Sequence, residues 1–141
     1  MKEIFRGYYD ELLYNITNFN NFDVVGHLDL IRRYSDEAVA FNFHEVMDRV
    51  EVILRKLISD GKGIEVNAGG FFYPTAMTNP HPSILKLYKE LGGEIITYGS
   101  DAHVPQKIGA NYERTMDILK EAGFRYISYF ADRKVEFERI R

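Results

Sequence analysis

Amphipathic segments alternate with short apolar runs along most of this chain. Residues 3–18 carry apolar side chains at close to helical spacing, which predicts a helix. Residues 43–59 show the clearest amphipathic pattern of the sequence. Residues 83–91 and 110–122 predict two further helices, and glycine follows each of the last three within a few positions.

Four short runs rich in branched and aromatic residues separate or follow these helices. They lie at 22–31, 63–70, 94–103 and 124–130, and a charged tail comes after the last one. Short, nearly continuous apolar runs are typical of strands that are buried on both faces of a parallel sheet. The resulting order, α-β-α-β-α-β-α-β, predicts an α/β fold with right-handed crossovers.

Composition narrows the class of protein. The chain has 141 residues, of which 45% are hydrophobic, and this length suits a single domain over 1–141. A net charge of -3 gives no broad basic surface, so no nucleic-acid partner is expected. The absence of cysteine excludes disulfides and thiolate metal sites. With no apolar run of membrane-spanning length and no targeting segment, a cytoplasmic protein without a membrane partner is expected.

Three of the predicted strands end in polar residues. Parallel α/β folds place functional groups at the carboxyl ends of their strands, so these residues predict one convergent polar pocket. Imidazole and carboxylate together favour zinc, manganese or iron over calcium. The residues at these strand ends are Gly26, His27, Asp29, Glu65, Asn67, Ser100, Asp101 and His103, and all except the glycine are polar.

Several of these residues have more than one reading from the sequence. The Asp-x-His of the third strand fits a metal site or a cap of the strand end. Glu65 fits a metal ligand, a residue that orients a ligand, or a partner of the loop backbone. Arg32 and Arg33 could bind a substrate phosphate in bidentate fashion, or lie in a solvated turn. His44 and His81 are interpreted as surface or loop residues.

Four segments of the sequence, 26–34, 61–70, 84–103 and 108–130, resemble a known family. Their order and spacing are similar to the last half of histidinol phosphatases of the polymerase-and-histidinol-phosphatase (PHP) class. That resemblance implies a distorted (β/α)7 barrel with a cluster of three metal ions at its carboxyl-terminal rim. This chain would then form a partial (β/α) barrel, about the C-terminal half of the whole.

The resemblance also implies roles for individual residues. His27, Asp101 and His103 match ligands of three different metal ions, and Asp101 and His103 thereby become the catalytic candidates. Glu65 and Asn67 match a Glu-x-Asn segment that lines the substrate pocket. In such enzymes the metals activate water for attack on phosphorus.

The sequence departs from the family pattern in two respects. The His-x-His strand, the further histidines and the bridging glutamate of the family's first half are absent from it. The metal site is therefore expected to be incomplete or weakly bound, and the open edges of half a barrel predict a homo-oligomer or a separate N-terminal partner. In addition, Phe71 and Phe72 stand where many relatives have a basic residue.

The expected function follows from the resemblance. It is metal-dependent hydrolysis of histidinol phosphate in histidine biosynthesis, impaired or absent in this chain alone. The alternative is a non-catalytic half-domain that binds a partner or persists as a fragment. Polymerase-associated and nucleotide-directed members of the same class offer a third reading, with the same fold and another substrate.

Overall fold

A short parallel sheet places most of the candidate residues in its strands or in the turns that follow them. The computed structural model describes residues 1–141. Its parallel sheet has the order β1-β2-β3, formed by Val24–Val25, Gly63–Asn67 and Ile96–Gly99. Val25 pairs with Ile64, and the middle strand pairs with β3 from Ile64–Ile96 to Asn67–Gly99. All three strands therefore end at the same edge of the sheet, which we call the rim.

Five α-helices surround the sheet and complete the core. The helices predicted from amphipathic spacing are confirmed, with ends shifted by a few residues. Leucine, isoleucine and valine side chains dominate the cluster of 22 buried residues between helices and strands. The helices are α1 Lys2–Asn18, α2 Asp36–Ala40, α3 Met47–Ser59, α4 Pro82–Glu90 and α5 Tyr112–Glu121. None of them is long and apolar enough to cross a membrane.

The first predicted strand, 22–31, is wrong beyond its first few residues. Only Val24 and Val25 are strand, and His27 then adopts a left-handed backbone with φ 51°. Residues Leu30–Arg33 continue as a 3-10 helix. The other two parallel strands are also shorter than predicted: β2 ends at Asn67, where a 3-10 helix begins, and β3 is limited to Ile96–Gly99. That 3-10 helix spans Ala68–Phe72.

The C-terminal region differs from the prediction. The expected fourth parallel strand forms β4, Tyr126–Ala131, and the expected charged tail forms β5, Lys134–Arg139. The two pair antiparallel, and the two residues between them both have positive φ, the pattern of a type I′ turn. The hairpin approaches the parallel sheet where Ser128 Oγ accepts the N–H of Ile96 at 3.2 Å. The five strands form two sheets and no closed barrel.

Candidate functional site

Glu65 occupies the middle of the rim, between two glycines. An added Cβ at Gly26 would lie 3.1 Å from Glu65 Oε2, and one at Gly99 would overlap Glu65 Oε1. The two glycines, Gly26 just after β1 and Gly99 at the end of β3, therefore leave the space that the Glu65 carboxylate fills. The side chain is half-buried, and no cation of this chain forms an ion pair with it. An acceptor in this position can bind a cation or a donor supplied by a ligand.

Asn67 fixes the loop that leaves the middle strand. Its Oδ1 accepts the N–H of Gly69 at 2.8 Å, which begins the 3-10 helix at Ala68. Its Nδ2 lies 3.4 Å from Glu65 Oε2, at the long end of the hydrogen-bonding range. The backbone of Asn67 also exchanges two hydrogen bonds with Asn79, at 2.7 and 3.0 Å. The side chain thus orients both the carboxylate and the backbone beside it.

Asp101 and His103 lie together just after the third strand. His103 Nε2 is 3.4 Å from Asp101 Oδ1, and the side chains are 86% and 24% exposed. Asp101 adopts a left-handed backbone with φ 53°. An added Cβ at Gly69 would lie 2.9 Å from Asp101 Cβ, so the Asp101 turn packs directly against the loop after the middle strand. A carboxylate beside an accessible imidazole can orient that imidazole and accept its proton.

His27 sits at the end of the first strand with one ring nitrogen unpaired. Its Nδ1 is buried and has no hydrogen-bond partner, while its backbone oxygen accepts the hydroxyl of Tyr8 at 3.1 Å. Positive φ is uncommon for residues other than glycine. Of the six such residues in this chain, two lie in the turns after the outer strands, His27 and Asp101. Such strained residues cluster at functional sites, which supports assigning the rim as one.

The predicted metal ligands do not form a complete metal centre. No group of three or more His, Asp or Glu side chains is arranged to hold a metal ion. The pair Asp101–His103 and the unpaired Nδ1 of His27 could each supply a ligand. These residues by themselves do not fit a closed metal site, which needs about four ligands for zinc.

The two arginines predicted to bind substrate have different environments. Arg32 is buried, with Nη1 3.2 Å from Asp29 Oδ2 and its guanidinium 4.6 Å from the centre of the Phe43 ring. Arg33 has a buried Nη1 without a partner, and its guanidinium lies 4.3 Å from the centre of the Tyr73 ring. Arg33 is therefore the one whose guanidinium has no hydrogen-bond partner within the chain.

Asp29 has a structural role that the sequence did not reveal. It is fully buried and accepts Asn79 Nδ2 and the N–H of His81, both at 2.8 Å, besides Arg32. Burial raises the pKa of Asp29, and the hydrogen bond from Asn79 and the charge of Arg32 oppose that shift. Burial also raises the pKa of the nearby Tyr8 to about 12, with the charge of Asp29 adding to it.

Comparison with known proteins points to one class of enzyme. No family model matches the sequence. The chain is 34% identical over 126 residues to a probable histidinol-phosphatase of Thermotoga maritima, covering 89% of this chain and 52% of that protein. It is 31% identical over 124 residues to the histidinol-phosphatase of Lactococcus lactis, covering 86% and 45%. The chain thus spans about half the length of the curated relatives it matches.

Solved structures agree with the sequence matches. The histidinol phosphate phosphatase of Lactococcus lactis, complexed with zinc, L-histidinol and phosphate, superposes with a TM-score of 0.75 at 30% identity. The match covers 93% of this chain and 50% of that one. A putative histidinol phosphatase of Listeria monocytogenes gives a TM-score of 0.66 at 27% identity, over 76% of this chain and 42% of its own. The fold is therefore similar to part of a histidinol phosphatase.

Proposed function

We propose that this chain forms one part of a histidinol-phosphatase-like phosphoric monoester hydrolase, which converts histidinol phosphate to histidinol and phosphate in the cytoplasm. One observation carries the proposal. Glu65, Asp101 and His27 meet the same rim, two of them in strained turns, in a fold similar to a phosphatase solved with histidinol, phosphate and zinc. Fold similarity alone does not define function, so the proposal depends on the residues that meet at the rim.

The residues of this chain would divide the work as follows. Arg33, whose guanidinium has no hydrogen-bond partner within the chain, would bind the phosphate. Glu65 accepts a hydrogen bond from, or pairs with, the cationic part of the ligand. Asp101 and His103, 3.4 Å apart, would serve with His27 as this chain's ligands to the divalent ion, which would supply activation of the attacking water. Asn67 keeps Glu65 and the following loop in place.

Completion of the site needs ligands from outside this rim. Because no group of three metal-binding side chains exists in the chain, the divalent ion, zinc, manganese or iron, would take its remaining ligands from a second polypeptide. That polypeptide would be a separate N-terminal half or a second copy of this chain. We expect the chain alone to release phosphate slowly or not at all.

The test is phosphate release from histidinol phosphate. The purified chain is assayed with zinc or manganese, alone and mixed with an N-terminal half of the Lactococcus lactis enzyme. Asp101→Asn is compared with Asp132→Asn, a matched control, since both aspartates have positive φ, 53° and 50°. Asparagine tolerates this backbone region, so each substitution removes a charge with little strain.

The expected result is turnover in the mixture that Asp101→Asn lowers by about 10²–10⁴-fold, while Asp132→Asn leaves it unchanged. Equal rates for the two variants would refute the assignment of the site. No phosphate release in any mixture would favour the non-catalytic half-domain, a reading that the incomplete metal-ligand set also supports. Faster release from a nucleotide than from histidinol phosphate would shift the substrate within the same reaction.

A further inference from the structure

Three consecutive aromatic residues after the middle strand each carry a cation on their ring. The guanidinium of Arg114 lies 4.0 Å from the centre of the Phe71 ring, and Lys107 Nζ lies 4.1 Å from that of Phe72. Arg33 lies 4.3 Å from the ring of Tyr73, the third of the series. We call Arg33, Lys107 and Arg114 the basic strip.

The charges of the basic strip are not neutralised within the chain. None of its three members forms an ion pair with a carboxylate. None of the three donates a side-chain hydrogen bond within the chain, because every such bond from a lysine or arginine comes from another residue. An aromatic ring attracts a cation and restricts its motion without cancelling its net charge. The strip therefore presents restrained, uncompensated positive charge.

The basic strip borders the rim. Phe71 and Phe72 belong to the 3-10 helix Ala68–Phe72, Tyr73 follows it directly, and Gly69 of the same helix packs on Asp101. Lys107 ends the 3-10 helix Pro105–Lys107, four positions after His103. The strip members come from three different elements, so the fold, and not one basic stretch of sequence, brings them to the same aromatic segment.

We propose that the basic strip, through Lys107 and Arg114 together with Arg33, binds the phosphate group of the ligand at the rim. A phosphate monoester carries up to two negative charges and several acceptor oxygens, which suits two guanidinium groups and an ammonium. Phe71 and Phe72 would then support phosphate binding by holding cations from elsewhere in the chain. The identity of the ester rests on the proposed function, whereas the binding of phosphate does not depend on turnover.

The experiment titrates the full chain with inorganic phosphate and, separately, with histidinol phosphate without added metal. Binding is followed by ¹H–¹⁵N chemical shifts at low ionic strength, where charge interactions are least screened. The test variant is Lys107→Gln/Arg114→Gln. The control is Lys134→Gln/Arg139→Gln, which removes the same charge from the exposed strand β5. Thermal unfolding of both variants shows whether they fold.

The expected result is that the test variant binds both ligands about 5–20-fold more weakly than the control, with the wild-type shifts centred on Phe71–Tyr73. Equal affinities in the test and control variants would overturn the proposal. If the test variant binds inorganic phosphate more weakly than the control but binds histidinol phosphate equally well, the strip binds only free phosphate. That result would overturn its role in recognising the ligand. If the test variant unfolds, the wild-type shift map decides, and shifts that miss Phe71–Tyr73 overturn the proposal.

The two experiments can refute the basic-strip proposal and the proposed function independently of each other. A chain that hydrolyses no phosphate ester in any mixture, yet shows the difference between test and control, refutes the proposed function and supports the strip. If turnover depends on Asp101 but the test and control variants bind phosphate equally well, the proposed function is supported and the role of the basic strip is refuted.

Discussion

The Asp29 carboxylate connects two parts of the rim that are distant in sequence, and removing it gives a sharp test of the structure. Asp29 follows the first strand, and its partners Asn79 and His81 lie 50 and 52 residues away. We expect Asp29→Ala to destabilise the chain strongly, because it leaves Arg32 buried without a counter-charge and two further donors without an acceptor.

The size of the effect follows from burial. Asp29 is 0% exposed and Arg32 is 7% exposed, so water cannot replace the lost acceptor. Removing one partner of a buried pair costs about 3–5 kcal/mol, a large part of the roughly 5–15 kcal/mol by which a domain is stable. With a urea dependence of about 2 kcal/mol per M, the unfolding midpoint should fall by about 2 M.

The assay is urea unfolding followed by circular dichroism, with Arg32→Met and the double variant completing a cycle. The double variant should be more stable than Asp29→Ala alone, because it no longer buries an unpaired charge. Asp117→Ala, which breaks the exposed pair with Lys120, should leave the midpoint nearly unchanged. A loss below about 1 kcal/mol for Asp29→Ala, or a double variant that loses the sum of the singles, would refute this reasoning.

Two further predictions concern the rim and the pH dependence of stability. Gly99→Ala should displace the Glu65 carboxylate, because the new Cβ overlaps Glu65 Oε1. We expect at least about a 10-fold loss of turnover in the mixture with the N-terminal half of the Lactococcus lactis enzyme. An unchanged rate would argue against a role for Glu65. Gly7→Ala, with nothing within 4 Å of the added carbon, should instead raise helix stability by about 0.5–1 kcal/mol. Burial, followed by the charge of Arg32, lowers the pKa of His81 from 6.5 to about 4. The folded state therefore binds the proton less readily than the unfolded state, and stability should fall by about 1–2 kcal/mol between pH 6.5 and 4 after discounting for partial exposure. The wild type should show this fall in stability, whereas His81→Asn, which keeps an acceptor for the start of α4, should not. If urea unfolding gives the same pH dependence of stability for the two proteins, the role assigned to His81 is wrong.

The helices and the middle strand could be predicted because local pattern and burial agree there. The first strand could not be predicted in full, since Leu28 and Ile31 are buried in a turn and a 3-10 helix, and an apolar run looks the same in either conformation. The strand β5 was missed for the opposite reason. It is mostly exposed and charged, and its pairing with β4 defines it more than its composition does.

The site shows the same division. Strand-end position alone predicted the polar rim with Glu65 and Asp101. Which of the two adjacent arginines is free depends on Asp29 and on partners about 50 residues further along the chain, so no local pattern could reveal it. The rings beneath Lys107 and Arg114 are likewise set by tertiary contacts.

The turn of the C-terminal hairpin has a consequence for the order of folding. Its central residues, Asp132 and Arg133, have φ of 50° and 60°, in a turn type that favours Asn-Gly. The Arg133 guanidinium contacts Asp23 and Asn21, just before the first strand. A turn with unfavourable local preferences, held by residues more than 100 positions away, is a poor nucleus. We infer that the hairpin forms late in folding, after the parallel sheet has assembled. The C-terminal hairpin therefore becomes ordered only once the region around Asn21 and Asp23 has folded.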